Sequence, residues 1–186
     1  MNKILIINGS PRPNGNTTTL AEHLIAGAKE GGADAEVLRL QGLEIQPCDG
    51  CDSCQNKSSG CVISDDMQDL YPKLKEADVI VIASPVYWFS MTAQTKAFLD
   101  RWYALISESG FELKGKNLSL LMVYGDTDLY TSGGINVIHT LESICRYTGL
   151  IFEGIVHGCA MDIGDAAKDP LLMKKSYQLG KKLAAS

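Results

Sequence analysis

Short, uninterrupted apolar runs alternate along this chain with segments of helical periodicity, and that alternation restricts the fold more than any other feature. Residues 3–7 form one such run, closed by Asn8-Gly9, as a strand buried on both faces should read. Residues 17–29 then place Leu20, Leu24 and Ala28 on one helical face, with Thr17 or Thr18 as N-cap and Gly31-Gly32 as terminator. The pattern repeats with strands at 36–40, 78–83, 118–123 and 151–156. Helices are expected at 67–75, 91–106, 135–147 and 170–183. Five strands separated by helices predict an α/β fold: a doubly wound parallel sheet with right-handed crossovers and helices on both faces. The 186 residues suit one domain spanning 1–186, without linker or repeat. One long polar stretch at 46–65 interrupts it, and its length marks it as a functional insertion. Ligands of such sheets bind beyond the carboxyl ends of the strands. The loops that matter therefore begin at Asn8, Ser84 and Tyr124.

Charge and hydropathy remove several function classes. A net charge of -5 offers phosphates little positive field, so no nucleic-acid partner is expected. No apolar run approaches the roughly 18–20 residues of a membrane span. The N-terminal apolar run stops at Asn8, far short of a signal-peptide core, so the expected compartment is the cytoplasm. Six cysteines are present, and Cys48, Cys51, Cys54 and Cys61 crowd the 46–65 stretch. In a reducing compartment, such a cluster reads as metal-binding or redox-active.

The loop Asn8-Gly9-Ser10-Pro11-Arg12-Pro13-Asn14-Gly15-Asn16-Thr17-Thr18-Thr19 joins the first strand to the first helix. It combines free N–H groups at a helix N-terminus with hydroxyls, glycine and one Arg, which is what a phosphate needs. A P-loop would require Lys after Gly15, but Asn16 stands there; a Gly-x-Gly-x-x-Gly dinucleotide fingerprint is also absent. An ordinary capped turn would explain the glycines but not so many donors, so the loop is read as a single-phosphate site. After the third strand, Ser84-Pro85-Val86-Tyr87-Trp88-Phe89-Ser90 exposes three consecutive aromatics. Three in a row cannot all face one core, and backbone groups here suit the edge of a planar heterocycle.

Gly9-Ser10-Pro11-Arg12 with Asn16-Thr17, the Ser84-Pro85-Val86-Tyr87 segment, and Lys96-Ala97-Phe98-Leu99-Asp100-Arg101 together resemble the flavodoxin-like NADPH-dependent FMN reductase family. The resemblance implies a flavodoxin-like five-stranded sheet of order 2-1-3-4-5 that binds FMN. It implies that Ser10, Arg12, Asn16, Thr17 and Thr18 hold the phosphate, and that Pro85, Val86, Tyr87, Trp88 and Phe89 line the isoalloxazine. The loop from Tyr124 through Gly125 and Asp126 would close the other side of the ring, while Lys96, Asp100 and Arg101 would serve structure or a subunit contact.

The spacing Cys48-x2-Cys51-x2-Cys54, with Cys61 following, lets a tight loop turn three thiolates toward one centre and a fourth close a cubane. Zinc favours two separated Cys-x2-Cys knuckles, which the Cys54 to Cys61 spacing does not supply. The segment resembles the compact motif of the iron–sulfur flavoprotein branch of the same family, where the cysteines ligate a [4Fe-4S] cluster. Free thiols, a redox disulfide and zinc stay open beside it. Cys145 reads as a buried small hydrophobe, Cys159 as structural.

The leading functional reading is an NAD(P)H-dependent FMN oxidoreductase of the flavin or quinone reductase kind, a cluster serving as a route to one-electron acceptors. The cofactor carries that chemistry, so no catalytic residue is expected from the protein. Two other readings compete: a flavodoxin-like electron carrier that docks to partner proteins, and a metal-stabilised interaction module without flavin. The expected partners are NAD(P)H, a small or protein electron acceptor, and a second copy of the chain in a homodimer or higher homo-oligomer.

Overall fold

A computed structural model describes residues 1–56 and 60–186. Every apolar run becomes a strand, with shifted ends: β1 (Lys3–Asn8), β2 (Asp34–Arg39), β3 (Val79–Tyr87), β4 (Asn117–Tyr124) and β5 (Ile151–Cys159). They pair in parallel in the order β2-β1-β3-β4-β5, as expected. Among the described residues, five helices of eight residues or more flank them: α1 (Asn16–Glu30), α2 (Met67–Glu76), α3 (Ala93–Asp100), α4 (Gly134–Thr148) and α5 (Pro170–Ala184).

Successive strand residues point to opposite faces, and the two cores divide accordingly. Ile4, Ile6, Val79, Val81, Leu121 and Val123 pack against α1 and α5. Leu5, Ile7, Ile80, Ile82, Leu120 and Met122 pack against α2, α3 and α4. Each of these fully buried side chains contributes about 1.5–3 kcal/mol of hydrophobic stabilisation. Helices α1 and α5 meet backbone to backbone. A Cβ on Gly27 would lie 1.9 Å from the Tyr177 carbonyl oxygen, and one on Gly180 would lie 2.0 Å from that of Leu24. Any larger residue at either position would drive the helices apart.

Two expected helix boundaries are corrected. The N-cap of α1 is Gly15, and Thr17 and Thr18 lie inside the first turn. The expected 91–106 helix begins only at Ala93, because Ser90–Met91 folds back as a short antiparallel strand on β3 and Thr92 caps α3. It also tightens into a 3-10 helix over Arg101–Leu105. Among the described residues, no helix is long and apolar enough to cross a membrane. The switch in strand order falls between β1 and β3. Their carboxyl-terminal loops splay apart there and open a crevice.

Candidate functional site

A cavity of ≈ 440 Å³ fills that crevice, within the range of small-ligand sites. The β1–α1 loop and the start of α1 supply Ser10, Arg12, Gly15, Asn16 and Thr17; β3 and its turn supply Pro85, Val86, Tyr87 and Trp88; Gly125 closes from β4. The phosphate-type loop is internally braced. The Ser10 N–H donates to Asn8 Oδ1 at 2.9 Å, and the Gly9 carbonyl accepts from Thr92 Oγ1 at 2.8 Å. Thr17 is 1% exposed, and its Oγ1 is buried with no hydrogen-bond partner among the described residues. A buried polar atom of this kind costs stability unless something binds it, and here it borders a cavity at a helix N-terminus.

Two other residues expected at the phosphate, Asn16, which lines the cavity, and Thr18, also brace the scaffold. The Asn16 amide donates to the carbonyls of Ala160 (3.2 Å) and Asp162 (2.8 Å), and its oxygen accepts from the N–H groups of Gly164 (3.0 Å) and Ala166 (3.2 Å). Its hydrogen-bonding capacity is thereby used in clamping the β5–α5 loop onto α1. Thr18 Oγ1 accepts from Asn8 Nδ2 at 3.1 Å and does not line the cavity.

The aromatic segment turns sharply. Val86 pairs with Met91 and Tyr87 with Ser90, leaving Trp88 and Phe89 as a two-residue hairpin loop with φ of 47° and 66°. Such a turn favours Asn-Gly, so two bulky aromatics there store backbone strain of order 1–3 kcal/mol each. Trp88 is 92% exposed at the cavity mouth. Phe89 is not among the lining residues: its ring packs edge-on against Trp88 at 5.8 Å between centroids, its backbone abuts Gly133, and its carbonyl accepts from Asn136 Nδ2 at 3.0 Å. Asp126 also stands outside the lining, its Oδ1 accepting from the Thr127 N–H at 2.7 Å.

Ala160 and Met161, at the end of β5, line the cavity as well and were missed by the sequence reading. The rule that ligands sit beyond strand carboxyl ends, applied to β5, would have found both. Tyr124, where the third expected loop begins, lines the cavity too, and its Oη lies 3.0 Å from His157 Nδ1. Burial raises the Tyr124 pKa, with smaller contributions from Cys159 and Asp128. Cys159 is exposed rather than structural; Cys145 is buried, and burial pushes its thiol up to about 11.

The cysteine segment is pinned at its ends. Side chains of Arg101 and Asp65, 0% and 2% exposed, form a two-pronged ion pair: Nη1 to Oδ2 at 2.5 Å and Nη2 to Oδ1 at 3.1 Å. Arg101 also donates to the Gln46 carbonyl at 2.9 Å and to Cys61 Sγ at 3.4 Å. Burial works to raise the Asp65 carboxyl, but hydrogen bonds from Arg101 and the Gln46 N–H outweigh it and hold the group below the ordinary range. Cys48 and Cys51 are exposed, and Cys54 and Cys61 half-buried. Among the described residues, no group of three or more Cys, His, Asp or Glu side chains is gathered as a metal shell. The expected convergence of Cys48, Cys51, Cys54 and Cys61 is not found among the described residues, where Cys61 Sγ accepts from Arg101. Residues 57–59 of the expected 46–65 segment lie outside the described residues.

The family described as NADPH-dependent FMN reductase matches residues 2–153. An iron–sulfur flavoprotein of Methanocaldococcus jannaschii is 31% identical over 98% of this chain and 95% of its own. Another, of Methanosarcina thermophila, is 32% identical over 97% and 93%. The solved NAD(P)H:quinone oxidoreductase of Methanothermobacter marburgensis superposes with a TM-score of 0.77 at 17% identity, covering 98% of this chain and 96% of that one, and so shares the fold.

Proposed function

The chain belongs to the NADPH-dependent FMN reductase family, and from that premise we propose that it binds FMN and acts as an oxidoreductase between a reduced nicotinamide cofactor and a small electron acceptor. The observation that carries the reading is the unpartnered Thr17 hydroxyl, buried at the edge of the switch-point cavity. The residues present fit FMN. Ser10, Arg12, Thr17 and the first-turn N–H groups of α1 would hold one phosphate, with no second phosphate site in the motif. Pro85, Val86, Tyr87 and Trp88 on one side and Gly125 on the other would border the ring. When bound, the flavin supplies hydride acceptance and electron release. The chain's own work is to anchor, orient and partly desolvate: the hairpin covers one flank, and exposed Trp88 leaves the mouth open to a planar partner.

The finer reading, a [4Fe-4S] cluster on Cys48, Cys51, Cys54 and Cys61, is supported by donor spacing and by the names of the relatives. Among the described residues, the thiols are not gathered into that shell. A homodimer is the proposed assembly, with the apolar groove of ≈ 730 Å³ between α3 and α4 as the face it would cover. The test is direct. Purified protein should hold non-covalent FMN, be bleached by NADH or NADPH, and turn over with a quinone. A protein that holds flavin but neither nucleotide reduces is an electron carrier; a protein that holds none refutes the reading. Anaerobic iron and sulfide analysis of Cys51→Ala beside the parent decides the cluster.

A further inference from the structure

Met161 is exposed to solvent yet held in place by its neighbours. It lines the switch-point cavity from the loop after β5, and it is 66% exposed. The backbone is fixed on both sides of it. Asn16 Nδ2 donates to the carbonyls of Ala160 and Asp162, the residues immediately before and after. The Ala160 N–H donates to the Tyr124 carbonyl at 2.8 Å, and the Asp162 N–H to Asp165 Oδ2 at 2.8 Å. The thioether lies across Gly125: a Cβ at that position would overlap Met161 Sδ and stand 3.7 Å from Met161 Cγ and Cε. Glycine at 125 is what leaves room for the sulfur. A solitary apolar side chain in water would need no explanation, but Tyr87 and Trp88 are exposed at the same cavity. The three give an apolar rim to a site whose buried Thr17 hydroxyl finds no partner among the described residues.

Nothing in that rim carries charge. Of the described residues that line the cavity, Arg12 alone is charged, and the flavin phosphate would engage it together with Thr17. A neutral ring therefore gains contacts at the mouth that an anion does not. Thioether sulfur is polarizable and packs favourably against aromatic rings, and an indole offers its face to a planar partner. Resting on the flavin-reductase reading, we propose that Met161 is a specificity-determining residue for a neutral, planar electron acceptor. It stands on the Gly125 side of the mouth, opposite the Trp88 hairpin, as the wall against which the acceptor ring packs. A reduced nicotinamide nucleotide is gripped through its sugars and phosphates as well as its ring, whereas a small acceptor has the ring alone. Loss of the thioether should therefore weigh on the acceptor more than on the nucleotide.

The experiment uses the full chain loaded with FMN, as the parent, Met161→Ala and Met161→Leu. Met161 lies mostly in water, so neither change opens the core. Two acceptors are compared at saturating reduced nucleotide: 1,4-naphthoquinone, a neutral planar ring, and ferricyanide, an anion with no ring to pack. In Met161→Ala, KM for the quinone should rise about 2- to 12-fold with kcat held, the range of a lost sulfur–aromatic contact. Met161→Leu, which restores apolar bulk without the sulfur, should recover part of that rise. KM for ferricyanide should not move. Calorimetric titration of the flavin-loaded protein with 2-naphthol, a planar ring that flavin does not reduce, should show Kd weakened by a similar factor in Met161→Ala. Equal losses with both acceptors, a quinone KM or naphthol Kd that does not respond to Met161→Ala, or no naphthol binding by the parent overturns the proposal and leaves the reductase reading intact. A flavin that neither NADH nor NADPH bleaches overturns the reductase reading, and the naphthol titration then decides Met161 by itself. A protein that holds no flavin overturns both.

Discussion

Replacing Thr17 by Val exchanges a hydroxyl for a methyl of nearly equal volume at a position only 1% exposed. In the folded chain, the Thr17 Oγ1 makes no hydrogen bond, so the apoprotein bears the desolvation cost of an unmade bond, about 1–3 kcal/mol. Val removes that cost at closely similar helix propensity. The apoprotein should therefore gain about 1 kcal/mol or more, a rise in Tm of roughly 2–4 °C per kcal/mol for a chain of this size. With FMN the sign reverses. The same change deletes a hydrogen bond to a charged phosphate, worth about 1.5–3 kcal/mol, and Kd should rise roughly 10- to 150-fold. Added FMN at 100 times the Kd of the unaltered protein stabilises that protein by about 2.7 kcal/mol, a shift that should fall to about 0.3–1.4 kcal/mol in the variant. Thermal melts of both proteins with and without FMN, joined to a fluorescence titration, read both signs. A variant that loses stability as apoprotein and binds FMN unchanged would refute the assignment of this hydroxyl to a phosphate.

Arg101→Met strands the buried Asp65 carboxylate, and urea unfolding should show a loss of about 3–5 kcal/mol. The folded Asp65 pKa lies below its unfolded value of about 3.9, so its stabilisation is complete above that pH and fades as pH falls through the folded pKa. The advantage of the parent over Asp65→Asn should accordingly shrink on acidification below pH ~4, and a pH-independent difference would count against the pair. Trp88→Asn with Phe89→Gly gives the hairpin residues that tolerate positive φ; stability should rise by about 1–2 kcal/mol while FMN binding weakens, and a fall in stability would show that the strain lies elsewhere.

The architecture was legible because two periodicities are written directly into the chain. Runs such as residues 4–7 and 120–123 are apolar at every position, as a strand covered on both faces requires. Leu20, Leu24 and Ala28 repeat at helical spacing, and each is buried against the sheet. Boundaries were harder. Met91 has the composition of a helix start, but the hairpin at Trp88-Phe89 returns it to β3, an event decided by pairing rather than by propensity. The lining residues were also partly legible: Ser10, Arg12, Asn16, Thr17, Pro85, Val86, Tyr87, Trp88 and Gly125 come from loops that strand order alone brings together.

The alternation of strands and helices, the two buried faces, and the set of loops that meet at the crevice were determined by the sequence itself. Those features arise from local spacing, which any short window of the chain carries. Which polar groups stay free to bind was decided only in three dimensions. Asn16 and Thr17 are neighbours of similar polarity, yet the Asn16 amide is consumed by carbonyls 144 and 146 residues away, while the Thr17 hydroxyl is left without a partner. Likewise, Cys61 differs from Cys48 and Cys51 because the Arg101 guanidinium, 40 residues on, reaches its sulfur. A hydrogen bond is satisfied or vacant according to which distant atoms arrive within about 3 Å, and no local pattern encodes that arrival.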